Sequence, residues 1–148
     1  MPLRRNKYVT IVVLLLSNLL NYVDRYTVAG VLPQLEAYFG IGSDKLGLLQ
    51  TCFLGCYTLS SPVYGYIGDR YNRIHVIAAG KLLWVLAVLG STFVQGDHYW
   101  IFFCCRGVVG IGEAAVSNIA PAIIADLFTG RSRTVWTAAY FLMIPIGR

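Results

Sequence analysis

Two groups of charged residues lie inside stretches that are otherwise apolar, where a charge is rare and usually functional. Asp24 and Arg25 are neighbours in the first stretch, and Arg106 and Glu113 lie seven residues apart in a later one. Seven residues make about two helical turns, so Arg106 and Glu113 share one helix face. An unpaired charge in the middle of a membrane helix costs at least ~2.5 kcal/mol. These residues therefore predict a site in which a carboxylate carries a proton and an arginine binds an anionic head group.

Structural alternatives stay open for both groups. Asp24 can form a purely structural ion pair with Arg25 or with an arginine of another helix, for which Arg106 is the candidate. Arg106 and Glu113 can also belong to a glycine-rich packing seam whose charges pair internally. In the first stretch, the polar residues form a stripe along one helix face, because they recur every three or four positions: Ser17, Asn18, Asn21, Asp24 and Arg25.

A third group of charges lies in the short connection of residues 65–73. Asp69 and Arg73 share a helix face at positions i and i+4, and Arg70 lies between them. Asp126 is expected to end the fourth long helix at the same depth, and the glycines of the connection, Gly65 and Gly68, are expected to let two helices approach closely. Two acids and two arginines at one depth predict an ionic cluster that holds one conformation. The alternative is a set of solvated loop charges, each contributing little.

The composition is that of an integral membrane protein. The chain is 57% hydrophobic and 13% charged, and its apolar residues form long runs rather than alternating stripes. A transmembrane helix needs about 20 mostly apolar residues. We predict an all-α membrane fold with helices over about 8–32, 46–66, 74–94 and 99–128, and a fifth that begins near 134 and continues to 148.

The basic residues predict the orientation of these helices. By the positive-inside rule, the N-terminus and the second and fourth connections are cytoplasmic. A secretory signal peptide is the alternative for the N-terminus, but no small-residue cleavage site follows. Lys81, the one charge of the third helix, is interpreted as reaching toward the cytoplasmic face, with a role in a site as the alternative. The basic residues that set the orientation are Arg4, Arg5, Lys7, Arg70, Arg73, Arg131 and Arg133.

Other classes of function find little support. All four cysteines, Cys52, Cys56, Cys104 and Cys105, lie in predicted helices without a nearby His or carboxylate, so small packing residues are expected there. The sequence predicts no metal and no cofactor. It contains no nucleophile elbow, phosphate loop or metalloprotease motif, so an enzyme is not expected. The net charge of +5 is explained by orientation, and nucleic-acid binding is not expected.

Three segments together resemble the spinster branch of the major facilitator superfamily. The connection at 65–73 fits the superfamily pattern G-x-[LI]-x-D-R-x-x-R. The segment 21–30, with its Asn-Tyr-x-Asp-Arg, and the segment 106–114, with its Gly-x-Gly-Glu, make the similarity specific to the branch. The resemblance extends from about residue 17 to 147 and includes Ile119-Ala120-Pro121 and the run that ends at Phe128.

The resemblance implies a fold, a function and roles for residues. Such proteins have twelve helices in two halves, bind substrate between them and carry lysolipids or sphingolipids, some with protons, across lysosomal or surface membranes. By position, Asp24 resembles the protonation site and Arg106 its charged partner. Substrate contacts would include Asn21, Arg25 and Glu113. The cytoplasmic gate would include Gly65, Asp69, Arg70, Arg73 and Asp126.

Some features depart from the family or leave the cargo open. Asn72 stands where the superfamily usually has glycine, and Ile74 where a basic residue is common. The chain ends at Arg148 inside the expected fifth helix, so the C-terminal half of a transporter is the expected partner. The alternatives are a carrier of another organic anion, sugar or drug, and a truncated membrane fragment that does not transport.

Overall fold

The computed structural model describes residues 6–94 and 98–148, which form six helices and, within these ranges, no strand. The all-α prediction is therefore confirmed for this part of the chain. Arg4 and Arg5, which contribute to the predicted orientation, lie outside the described residues. In chain order the helices are α1 (Lys7–Gly30), α2 (Leu32–Phe39), α3 (Ser43–Arg70), α4 (Arg73–Thr92), α5 (Tyr99–Leu127) and α6 (Gly130–Ile146).

Helix α2 is an element that the sequence analysis did not predict. It occupies the connection between the first two long helices and begins with Pro33 in its first turn, where a missing N–H has no intrahelical partner to lose. It is followed by Gly40, whose φ of 59° lies in the left-handed region that glycine adopts readily and that ends helices. Helix α3 also runs four residues beyond the predicted end at 66, to Arg70. The other long helices agree with the prediction within a few residues.

Three of the described helices, α1, α4 and α5, are long and apolar enough to cross a membrane. The apolar runs of the sequence also predict a transmembrane helix at α3, which has 28 residues and is long enough. Gln50, Thr51 and the hydroxyl residues near Pro62 lower its hydropathy. Helix α6 has 17 residues, so it is slightly short by length alone.

Helix α5 is the centre of the packing, and α3 and α4 lie against two of its faces. Small residues bring the backbones together. A Cβ atom added to Gly110 would lie 2.5 Å from the carbonyl oxygen of Phe53 in α3. One added to Gly112 would lie 2.8 Å from the carbonyl oxygen of Gly80 in α4. The glycines predicted as a packing seam therefore set the distances from α5 to both neighbours.

Helices α1 and α6 complete the bundle. Ile11 and Leu14 of α1 pack with Ile119 and Ile123 of α5 in the largest cluster of buried apolar residues. Asn18, which is 1% exposed, donates a 2.8 Å hydrogen bond from Nδ2 to the carbonyl oxygen of Tyr140 in α6. The polar face of α1 is thus turned toward other helices.

The two glycines near the end of α3 differ in role, and the expected close approach of two helices holds at one of them. A Cβ atom on Gly65 would meet nothing within 4 Å, so Gly65 does not contribute to it. At Gly68 the same atom would lie 3.2 Å from Cγ1 of Ile119. The approach of α3 to α5 occurs at Gly68 because that residue, and not Gly65, faces α5.

Candidate functional site

Two crossed ion pairs connect α1 to α5. Nη2 of Arg25 lies 2.8 Å from Oε2 of Glu113 and donates a hydrogen bond to it. Nη1 of Arg106 lies 3.6 Å from Oδ2 of Asp24, without a hydrogen bond to that oxygen. The expectation that Arg106 is the partner of Asp24 agrees with this geometry. Asp24 and Arg25 are adjacent in the chain, yet each faces a charge on the other helix.

The two pairs differ in their surroundings. Glu113 is 1% exposed, and its Oε1 has no hydrogen-bond partner. Arg25 lies among three aromatic rings, with its guanidinium carbon 5.2, 4.9 and 5.0 Å from the ring centres of Tyr22, Phe53 and Tyr57. These rings favour the cation and restrict its movement. Asp24 is more open, with a fifth of its side chain exposed.

Six buried polar atoms without a hydrogen-bond partner cluster around these pairs. Buried polar groups in proteins are nearly always satisfied, so such a group of atoms indicates a place for water or a ligand. All six belong to α1, α4 or α5: Nδ2 of Asn21, Oδ2 of Asp24, Nε of Arg25, Nε1 of Trp84, Nε of Arg106 and Oε1 of Glu113. We refer to the residues that carry these atoms as the polar chamber.

Lys81 also reaches the polar chamber, contrary to the sequence interpretation. Its Nζ donates to the side-chain oxygen of Asn21 and, at 3.3 Å, to the carbonyl oxygen of Ser17. It also lies 4.3 Å from the ring centre of Trp84. The prediction that Lys81 reaches the membrane surface is wrong because its side of α4 faces α1.

A second ionic cluster lies at the α3–α4 connection. Arg73 pairs with Asp126 of α5 and, at 3.6 Å, with Asp69 of α3. It also donates to the carbonyl oxygens of Gly68, at 3.1 Å, and Ala122, at 3.3 Å. One arginine at the start of α4 therefore joins the ends of α3 and α5. This geometry agrees with the predicted convergence of Asp69, Arg73 and Asp126.

Arg70 takes no part in this cluster. Its guanidinium lies over the ring of Tyr66, 4.8 Å from the ring centre, and it pairs with no acid of the described residues. Two acids and two arginines are expected in the cluster, but only one arginine, Arg73, joins the two acids. Arg70 is the last residue of α3, and its side chain is exposed.

The cysteines lie where small packing residues are expected. A Cβ atom on Gly107 would lie 3.2 Å from Sγ of Cys56 and 3.3 Å from Sγ of Cys52, so both thiols pack on the glycine surface of α5. Across residues 6–94 and 98–148, no three His, Cys, Asp or Glu side chains form a group that could hold a metal ion.

Comparisons with known proteins agree with this fold. The profile of the Major Facilitator Superfamily matches residues 14–148. The chain belongs to the Major Facilitator Superfamily. Its relatives are spinster proteins, so the resemblance to that branch is confirmed. One of them is a transporter by name, and a solved bacterial homologue is described as related to a human transporter, in agreement with the prediction that the chain is not an enzyme.

The similarity covers most of this chain but a minor part of each relative. Protein spinster homolog 1 of Homo sapiens is 48% identical over 137 residues, which are 93% of this chain and 26% of the human protein. The sphingosine-1-phosphate transporter of Danio rerio is 44% identical over 135 residues, 91% of this chain and 27% of the fish protein. A bacterial homologue of the human lysosomal transporter spinster, solved inward-facing and occupied, is 26% identical with a TM-score of 0.82, covering 98% of this chain and 30% of that one.

Proposed function

We propose that the chain is the N-terminal part of a proton-coupled lysolipid carrier that works by alternating access. The observation that carries the proposal is the difference between the two α1–α5 ion pairs. The Arg25–Glu113 pair is short and hydrogen-bonded, whereas the Asp24–Arg106 pair is long and lacks a hydrogen bond. The second pair therefore opens with the smaller loss of interaction energy.

Protonation of Asp24 is the step that opens it. A proton removes the negative charge opposite Arg106, whose side chain is 8% exposed. A buried cation without a partner is strongly unfavourable, so Arg106 then attracts an anion. Loss of the proton restores the pair and expels the anion. Proton binding and head-group binding are thereby coupled through one arginine.

A phosphate-bearing head group suits this site. The planar guanidinium of arginine binds phosphate oxygens in a forked geometry that lysine does not match. Asn21, Arg25 and Glu113 belong to the same polar chamber and would supply further polar contacts. The Danio rerio relative is by name a transporter of sphingosine-1-phosphate, a phosphate-bearing lipid. We therefore assign the cargo to lysophospholipids and phosphorylated sphingoid lipids.

The proton gradient is large enough to drive this transport. A difference of two pH units is worth about 2.7 kcal/mol per proton, which supports about a hundredfold lipid gradient at one-to-one coupling. The carrier would act in the lysosomal or late endosomal membrane or in the plasma membrane, with its N-terminus in the cytoplasm. Residues of the full-length protein beyond this segment would supply the second six-helix half.

The cluster around Arg73 is assigned to the cytoplasmic gate. Arg73 joins the ends of three helices through Asp69 and Asp126, so it keeps them together while the opposite half moves. Gly65 and Arg70 lie in the last turns of α3, where the exposed Arg70 is available to meet the second half or lipid phosphates. Alternating access requires such a contact surface on one side of the membrane.

The test is Asp24→Asn in the full-length protein, reconstituted in liposomes and assayed for lysophospholipid flux under an imposed pH gradient. We expect pH-driven flux to fall to the level seen without a gradient, while exchange between equal lipid concentrations continues. Asp44→Asn is the matched control, because it makes the same change at an exposed carboxylate in the first turn of α3. Unchanged pH coupling in Asp24→Asn would refute the assignment.

Competition between cargoes tests the head-group assignment separately. Lysophospholipids and phosphorylated sphingoid lipids should compete with one another, whereas neutral sugars should not. Inhibition by sugars or by unrelated organic anions would instead support a carrier of another class. Failure of the full-length protein to move any of these solutes would support a membrane protein that does not transport.

A further inference from the structure

The Lys81 side chain forms a bridge between two helices that do not pack closely near it. Near their first turns, α1 and α4 are separated by a groove of about 250 Å³, lined by apolar residues that include Val9, Val13, Ile74 and Ile77. One turn beyond Ile77, the Lys81 ammonium crosses to Ser17 and Asn21 of α1.

The bridge uses the lysine charge rather than only its hydrogen bonds. Arg25 and Arg106 each have a carboxylate within 4 Å. Among the described residues, no carboxylate lies within 4 Å of the Lys81 ammonium. Its ammonium lies instead between two amide oxygens and the face of the Trp84 ring. Nε1 of Trp84 has no hydrogen-bond partner. The Asn21 side chain has no other hydrogen bond within the part of the chain that the structure describes, because its Nδ2 is also without a partner, so its position depends on Lys81.

The position of this bridge along α1 matters for the ion pairs. Asn21 precedes Asp24 by three residues and Arg25 by four, so all three lie on neighbouring parts of one helix face. A fixed Asn21 therefore sets the depth and rotation at which Asp24 and Arg25 meet α5. We propose that Lys81 is a positioning residue, which holds α1 against α4 so that Asp24 faces Arg106 and Arg25 faces Glu113.

Asn21→Asp provides a specific test that needs no change at Lys81. A carboxylate at position 21 accepts the Lys81 ammonium as an ion pair, so the full-length protein should keep its unfolding temperature. Asn18→Asp is the matched control on the same helix, because Asn18 donates to the Tyr140 carbonyl and no cation of the described residues contacts it. It should lower the unfolding temperature by several degrees. Equal losses in both variants would refute the bridge.

The Lys81→Met background sharpens this comparison. Lys81→Met retains the apolar stem and removes the charge, so Asn21→Asp in that background buries a carboxylate without a partner. We expect the double variant to lose more than the two single variants together, by the non-additivity of residues in contact. Asn18→Asp should add its own loss unchanged. An additive result for Asn21→Asp would contradict the proposal.

A transport measurement separates positioning from direct contact with lipid, and this arm alone rests on the proposed function. For lysophospholipid flux in liposomes, Lys81→Met should lower the maximum rate about tenfold and leave KM within about threefold. Lys81→Arg should restore part of the rate, because it keeps the charge. A change confined to KM would show that Lys81 binds the lipid, and would overturn the positioning role. The stability measurements above do not depend on transport.

Discussion

Glu113→Gln is expected to destabilise the protein more than Asp24→Asn, although both remove one carboxylate from an α1–α5 ion pair. Breaking a buried pair by removing one partner typically costs about 3–5 kcal/mol. Glu113 is 1% exposed and hydrogen-bonded to Arg25 at 2.8 Å. Glutamine keeps an acceptor of the same size, and the rings around Arg25 continue to favour the cation. We therefore place the loss at the low end, about 3 kcal/mol.

The Asp24 pair should contribute less. Its atoms are 3.6 Å apart without a hydrogen bond, and a fifth of the Asp24 side chain is exposed, so solvent partly screens the pair. Arg106 is only 8% exposed, so the loss exceeds that of a surface ion pair, and we place it at about 2 kcal/mol. The predicted difference between the two variants is about 1 kcal/mol.

The assay is unfolding of the full-length protein by sodium dodecyl sulfate in mixed micelles, with helix content as the readout. Asp44→Asn serves as the control for loss of a carboxylate, since Asp44 is exposed in the first turn of α3. The reasoning fails if Asp24→Asn is as destabilising as Glu113→Gln, or if Glu113→Gln unfolds at the same detergent fraction as the unmodified protein.

Two further variants test the packing and the second ionic cluster. Gly110→Val should strongly reduce the yield of monodisperse protein in size-exclusion chromatography, because its Cβ would lie 2.5 Å from the Phe53 carbonyl oxygen. In the control variant Gly47→Ala, the added Cβ meets nothing within 4 Å, so the yield should be normal. Equal yields of the two variants would contradict the close packing. Arg73→Met should lose about 1.4 kcal/mol of local stability and so speed proteolysis of the α3–α4 connection about tenfold. Arg70→Met should leave the cleavage rate unchanged, because Arg70 takes no part in the cluster. Equal cleavage rates in the two variants would argue against the Arg73 cluster.

The long helices and the identity of the charged residues could be predicted from the sequence, because apolar runs and buried charges are local signals. The pairing could be predicted only in part. Arg106 was the expected partner of Asp24, but the Arg25–Glu113 pair was not specified. Helical periodicity shows which residues share a face, and it does not show how that face is rotated toward a neighbouring helix.

Lys81 and α2 show two other limits. The position of Lys81 in the sequence shows how far it lies from the end of α4. The direction of its side chain depends on where α1 packs, which local sequence does not show. A signal was present, because Asn21 and Ser17 offer acceptors on the polar face of α1. Helix α2 has eight residues and depends on Pro33 and Gly40 at its ends, and the hydrophobic pattern was too short to predict it.

The glycines of α5 and the polar chamber give the bundle two kinds of helix contact. The distances from α5 to α3 and to α4 are set by backbone packed directly against backbone, at Gly110 and Gly112. Toward α1, at the depth of Asp24 and Arg25, the contact is made by two ion pairs. At this depth the central helix is thus held to two neighbours by close backbone packing and to the third by charge. Under the proposed mechanism, a proton bound at Asp24 would loosen α1 and leave the contacts of α5 with α3 and α4 intact.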